Sequence, residues 1–172
     1  MTSPLRRRLI AAAIVFPIAK NLAAACGEAT PRQTEGPFFK PDSPKRASLL
    51  EKDSGKEHVV LTGIVMSPQC RPVANALLDF WHADEDGDYD NRGYRYRGHQ
   101  FADGQGRYRL ETILPALYPG RTRHFHVKVQ APGRRILTTQ LYFPGEATNQ
   151  RDGLYRRELE IRSGAFDFIV DA

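Results

Sequence analysis

Cysteine is nearly absent from this chain, with only Cys26 and Cys70 among 172 residues. That count excludes both a disulfide framework and a C-x-x-C metal cage, so any metal must be held by other side chains. No internal repeat or low-complexity tract is visible, which removes repeat architectures. The longest apolar run, 9–18, is interrupted by Pro17 and followed by Lys20, too short and broken for a membrane span. Acidic residues are missing from the first 25 positions, which hold Arg6, Arg7, Arg8 and Lys20. Removing those four from 25 basic residues leaves 21 against 20 acidic ones. The pI of 9.4 therefore belongs largely to that segment, and a nucleic-acid reading loses the basic face it needs.

The same segment reads as an export signal: three arginines, an apolar stretch, then Ala23-Ala24-Ala25 before Cys26. The arginines ahead of Leu9-Ile10 resemble a twin-arginine signal, which suits export of a protein folded around its metal. An uncleaved anchor is the alternative. L-A-A-A-C at 22–26 faintly resembles a lipoprotein box with its leucine one place early, which would put a lipid on Cys26. Cleavage there in an oxidising compartment would also permit a Cys26 to Cys70 bridge, for which the sequence supplies no distance. No stable membrane span is expected after processing.

What remains is enough for one core: an irregular arm over 26–57 and a single domain over 58–172. The 14 glycines and 12 prolines fall between short apolar runs, the spacing of a turn-rich β-protein. Strands are expected at 58–66, 76–82, 106–113, 124–131, 136–143 and 165–170, with turns at Ser67-Pro68, Asp103-Gly104 and Ala131-Pro132-Gly133. The class is all-β, an antiparallel sandwich, with long loops at 84–100 and 145–158 on which a site can be built.

Chemistry concentrates at 118–126, Y-P-G-R-T-R-H-F-H. In an extended chain, residues i and i+2 share a face, so His124 and His126 point together while Phe125, Val127 and Val129 point away. Taken alone, H-x-H serves equally as two solvated histidines; the tyrosines and arginine beside it favour a metal. A-D-E-D-G-D-Y-D at 83–90 lacks the spacing and terminal glutamate of a calcium loop, so it reads as a solvated acidic turn. Its informative residue is Tyr89, whose bland role is an amphipathic tyrosine at a sandwich rim. Tyr89 and Tyr118 with His124 and His126 form a set of two phenolates and two imidazoles. Phenols ionise near pH 10, so holding two as anions at neutral pH calls for Fe(III) rather than Zn(II).

These residues lie within longer motifs: T-E-G-P-F-F at 34–39, G-I-V-x-x-x-x-C-R-P-V-x-N-A-x-L-D-F-W-H-A-D at 63–84, G-D-Y at 87–89, R-G-H-Q at 97–100, D-G-Q-G-R-Y-R-L-E-T-I-L-P-A-L-Y-P-G-R-T-R-H-F-H-V-K-V at 103–129 and T-Q-L-Y-F at 139–143. Together they resemble the intradiol ring-cleavage dioxygenases, of catechol and protocatechuate type. The length and the Y-P-G-R-T run look most like exported members without the helical dimerisation segment. The resemblance implies an Fe(III) site with Tyr89 as first tyrosinate, Tyr118 as second, and His124 and His126 as imidazole ligands. Arg121 and Gln140 fall on positions that support the ligands and substrate. The resemblance further implies that a catechol and dioxygen are the partners, that Tyr118 leaves when substrate binds, and that the ring opens between its hydroxylated carbons to a muconate-type diacid. Two departures are Ala116, where many relatives have glycine, and Phe125, where they have an aliphatic residue.

Three rival readings use subsets of the same residues. A non-catalytic transthyretin-like sandwich explains the strand motifs but not R-T-R-H-F-H. An Fe(II) and 2-oxoglutarate oxygenase could take His82, Asp84 and His124 as a two-histidine, one-carboxylate triad, leaving Tyr89, Tyr118 and His126 unused. A cupin would need a carboxylate where Gln130 stands. His82 and Asp84 are expected to serve structural hydrogen bonding at a strand end.

Overall fold

The computed structural model describes residues 26–54 and 57–172; the expected export segment lies outside them. Seven strands form two sheets. One has three strands: β1 (His58–Met66), β4 (Arg107–Ile113) and β7 (Phe168–Ile169), in the order β4-β1-β7. The other has four: β2 (Leu77–Trp81), β3 (Arg97–Phe101), β5 (His124–Gln130) and β6 (Leu137–Tyr142), in the order β3-β2-β5-β6. Alternation explains the packing. Leu78 and Phe80 of β2, and Phe125, Val127 and Val129 of β5, are fully buried; they form one core with Leu61, Val65, Leu110 and Phe168 from the opposite sheet. Each such side chain contributes about 1.5–3 kcal/mol. Slipping β5 by one residue would forfeit three of them, and this fixes which way the histidines point.

The structure departs from the sequence-based expectation in three places. Residues 97–101 form an edge strand, although they fall mostly in the expected 84–100 loop. R-G-H-Q-F has no apolar alternation, and it is pairing with β2, from Leu77↔Phe101 to Trp81↔Arg97, that makes it a strand. The expected 165–170 strand shrinks to two residues. It pairs with β1 in parallel, so the sandwich is mainly rather than wholly antiparallel.

The N-terminal arm is irregular but closely attached. It bonds to β7 (Thr30 N–H to Ile169 C=O, 2.9 Å), β6 (Gln33 N–H to Thr138 C=O, 2.9 Å), β3 (Arg46 N–H to His99 C=O, 2.8 Å) and β4 (Leu49 N–H to Glu111 C=O, 2.8 Å). Outer strands of both sheets thus have backbone groups occupied by the arm, which blunts edges that would otherwise pair with other chains. Cys26 at its start is bonded to Cys70 in the turn after β1.

Candidate metal centre

The outward face of the four-stranded sheet carries a row of polar and aromatic side chains. Register places Arg97, Trp81, His126 and Gln140 in line across all four strands, with His124 opposite Tyr142 in the next row. All six are buried, because the arm and the loops lie over them. His124 Nε2 and His126 Nε2 are 3.1 Å apart, and the Tyr89 hydroxyl is 3.3 Å from His124 Nε2. Two donors at right angles about a cation, each ~2.1 Å from it, stand about 3 Å apart. The pair therefore has the separation of two ligands to one ion.

Protonation states agree. His124 Nδ1 donates to the Thr122 carbonyl at 2.6 Å, which leaves the lone pair on Nε2, as a ligand requires. Burial lowers the His124 pKa to about 4, assisted by Arg121, and the Thr122 bond opposes this only in part. Burial, then His124 and Arg121, hold His126 well below the usual imidazole range. Both rings are thus neutral. His126 Nδ1 is buried with no hydrogen-bond partner among the described residues, and the ring stacks on Trp81 at 4.9 Å. Desolvation raises the Tyr89 phenol above its ordinary range despite Arg121 and Arg97, so only a strongly charged cation would draw off its proton. Two neutral imidazoles alone would suit many ions; the half-buried phenols beside them fit Fe(III).

Tyr118 lies beside Tyr89, edge to face at 5.8 Å, and is half-buried. Gly87 brings the two loops together. Its φ is +91°, and a Cβ there would sit 2.5 Å from the Leu117 carbonyl oxygen, so no other residue fits without displacing backbone. Arg121 donates from Nη2 to Gln140 Oε1 at 2.6 Å and from Nε to Asp152 Oδ2 at 2.9 Å. Gln140 in turn donates to the Thr34 carbonyl at 3.0 Å. The structure thus brings together all six residues singled out in the sequence.

His82 and Asp84 are spent elsewhere. The His82 ring bonds the Ala83 carbonyl through Nδ1 and the Thr112 hydroxyl through Nε2, each at 2.6 Å. Asp84 Oδ1 accepts the amides of Asp86 and Asp88. Asp90 likewise accepts the amides of Arg92, Gly93 and Arg95, so the acidic stretch is built from turns closed by its own carboxylates. Among the described residues no three His, Cys, Asp or Glu side chains cluster as a metal site, which leaves the two-histidine, one-carboxylate reading without its ligands.

Sequence reasoning gave no role to several residues that complete the site. Phe38 stacks on Tyr89 at 4.4 Å. The Gly36 backbone approaches His126 so closely that a Cβ would lie 3.3 Å from its Cε1. Buried Arg97 donates to the Phe38 carbonyl at 2.6 Å and the Asp90 carbonyl at 2.9 Å, tying the arm to the Tyr89 loop. Asp152 comes from the 145–158 loop. Phe38, Gly36 and Arg97 do lie in motifs visible in the sequence, but their contacts depend on the arm crossing the sheet.

A protein-family model described as Dioxygenase matches residues 34–157. The chain is similar to the catechol 1,2-dioxygenase of Acinetobacter baylyi, 28% identical over 166 residues, covering 80% of this chain and 53% of that protein. It spans about half the length of the curated relatives it matches. Among solved structures it resembles the dioxygenase domain of a dioxygenase and carbohydrate-binding protein fusion from the cellulolytic bacterium Streptomyces sp. SirexAA-E. That match has 50% identity and a TM-score of 0.81, covering 84% of this chain and 99% of the other. The 3-chlorocatechol 1,2-dioxygenase of Rhodococcus opacus 1CP matches with 27% identity and a TM-score of 0.74, covering 81% and 71%.

Proposed function

This chain belongs to the intradiol ring-cleavage dioxygenase family, and we propose that it opens catecholic rings between their two hydroxylated carbons, incorporating both atoms of dioxygen. The observation that carries this reading is that His126 Nε2 and the Tyr89 hydroxyl both lie within 3.3 Å of His124 Nε2, with Tyr118 alongside. Tyr89, Tyr118, His124 and His126 would hold Fe(III), whose charge draws electron density from a bound catecholate ring and makes a ring carbon open to oxygen.

The remaining steps belong to the protein's own side chains. Tyr118, half-buried and on the outer loop, would accept a substrate hydroxyl proton. Arg121, held by Gln140 and Asp152, sets fixed positive charge beside the anion that develops on the substrate. Preorganised groups of this kind are worth about a hundredfold or more in rate. Phe38, Trp81 and the arm backbone exclude water from the imidazoles. A non-catalytic sandwich would leave this neutral, converged ligand set without use. The substrate is proposed at the level of small catechols, the class to which the named substrates of the relatives belong.

We place the protein outside the cytosol. Supporting this are the basic, apolar and alanine-rich order of the first 25 residues and the Cys26 to Cys70 bond, which persists in oxidising compartments. That bond uses the sulfur a lipid anchor on Cys26 would need, so the two fates exclude one another.

The test is iron-loaded protein, oxygen uptake and product absorbance with catechol, chlorocatechols, hydroxyquinol and protocatechuate. The expected outcome is a red-brown protein, from phenolate to Fe(III) charge transfer, that consumes one dioxygen per catechol and yields a diacid. A stoichiometric iron protein that is colourless in air, or one inert toward the whole panel, overturns the reading.

A further inference from the structure

Asp152 lies 31 residues beyond Arg121, at the C-terminal boundary of a short 3-10 turn, Asn149–Arg151, and its side chain is only 2% exposed. A carboxylate that deeply covered is costly unless its oxygens are occupied. Oδ1 accepts the Leu154 amide at 2.9 Å, closing the loop on itself. Oδ2 accepts Arg121 Nε–H at 2.9 Å and the Thr122 amide at 3.0 Å. Burial works to raise its pKa, but the two amides and the guanidinium together hold it below the usual carboxylate range.

Two neighbours on one oxygen matter because of what each does. Arg121 is held at Nε by Asp152 and at Nη2 by Gln140, so a planar group fixed at two points has no rotational freedom left. Its charge is thereby held beside Tyr89, whose phenol feels it, and beside the Tyr142 hydroxyl. Thr122 supplies the carbonyl that fixes the His124 tautomer, and its hydroxyl is tied to Asn149 Oδ1 at 2.6 Å. The Thr122 hydroxyl also meets that of Thr148 at 2.8 Å, and Arg123 pairs with Glu146 at 3.0 Å, so the 145–158 loop grips the segment between Tyr118 and His124 at five points, of which Asp152 supplies two.

We propose that Asp152 is a positioning residue for ring cleavage, its Oδ2 clamping Arg121 so that the guanidinium keeps its charge toward the oxygen atoms of a bound catechol. This rests on the dioxygenase reading above. Asp152→Asn keeps the shape and removes the charge, leaving Arg121 free to turn away; partners one step removed from a metal's ligands typically change activity about 10–100-fold.

The experiment compares iron-loaded wild type, Asp152→Asn, Arg121→Met and the double variant, with a second measurement on metal-free protein. Asp152→Asn is expected to keep iron and tyrosinate colour, to lose about 10–100-fold in kcat/KM, and to weaken anaerobic catechol binding. The double variant should be no worse than Arg121→Met alone, because Asp152 acts through that guanidinium. Wild-type kcat/KM in Asp152→Asn, or losses that multiply in the double variant, would refute the clamp. In metal-free wild type, the Arg121 Nε–H should exchange with solvent slowly in NMR. Exchange as fast as that of a free guanidinium refutes the clamp even if Asp152→Asn does not fold. Wild type inert toward every catechol would overturn the dioxygenase reading instead, while the Nε–H measurement still judges the clamp.

Discussion

At the scale of the residue, the two tyrosines differ in what surrounds them. Tyr89 is stacked under Phe38 and touches His124, whereas Tyr118 meets Tyr89 by an edge on the outer loop. Tyr118→Phe is therefore expected to retain iron and much of the tyrosinate colour, yet lose most turnover and most of the catechol-induced spectral change. Tyr89→Phe should weaken the colour before and after substrate addition. Iron content, visible spectra and oxygen uptake on both variants check this; normal turnover in Tyr118→Phe would show that the departing tyrosine is misassigned. His82 carries a separate prediction. Burial, opposed in part by its bond to Ala83, depresses its pKa to about 4, below the ordinary imidazole value near 6.5. The unfolded chain thus binds the extra proton first as pH falls. The stabilisation is complete above about pH 6.5 and disappears toward pH 4, about 3 kcal/mol for this group. Denaturant unfolding of metal-free protein should weaken across that window, and His82→Gln should flatten the slope. An unchanged slope in His82→Gln would mean that the ring is not buried neutral.

At the scale of the element, the site depends on loops locked to one another more than on the sheet beneath. The two loops that carry Tyr89 and Tyr118 meet where Gly87 lies against the Leu117 carbonyl. Gly87→Ala adds a left-handed backbone cost of about 1–2 kcal/mol and a contact that must push backbone aside, for a total of roughly 2–3 kcal/mol. The expected result is a lower unfolding midpoint together with a shifted or weakened tyrosinate band, because Tyr118 moves away from Tyr89. A variant with lowered stability and an unaltered band would show that the loop contact does not set the tyrosine pair. The strand register was legible in the sequence where alternation was strong, as in 124–131. It was not legible in 97–101, where a glycine and three polar side chains form a strand only because β2 and the arm supply partners.

At the scale of the whole molecule, a sandwich is closed by an arm that begins at a disulfide. Cys26 and Cys70 are 44 residues apart, and a loop of that length removes enough unfolded-chain entropy to stabilise the fold by about 4 kcal/mol. Reduction, or Cys70→Ser, should lower the thermal midpoint by roughly 10 °C. Calorimetry with and without reductant measures this, and an equal midpoint in both would mean that the bond contributes nothing to the folded state. Mass spectrometry of exported protein gives the companion result: a mature chain beginning near Cys26 and two hydrogens lighter than its reduced form. A diacylated Cys26 would rule out the bond.

The sequence alone determined the fold class and singled out the residues proposed as ligands, for a local reason. A two-residue period puts His124 and His126 on one face, fully buried Phe125 and Val127 hold that face outward, and the motifs around Tyr89 and Tyr118 are contiguous strings. Tertiary structure decided the rest. Asp152 reaches Arg121 across 31 positions, Arg97 ties an arm to a loop that each lie elsewhere in the chain, and Cys26 finds Cys70 only once the arm has crossed the sheet. None of these pairings has a spacing that could announce it. The first two exist because burial makes an unpaired carboxylate, guanidinium or backbone group costly, the third because folding brings two sulfurs within bonding reach, and the folded chain alone specifies which partner is near.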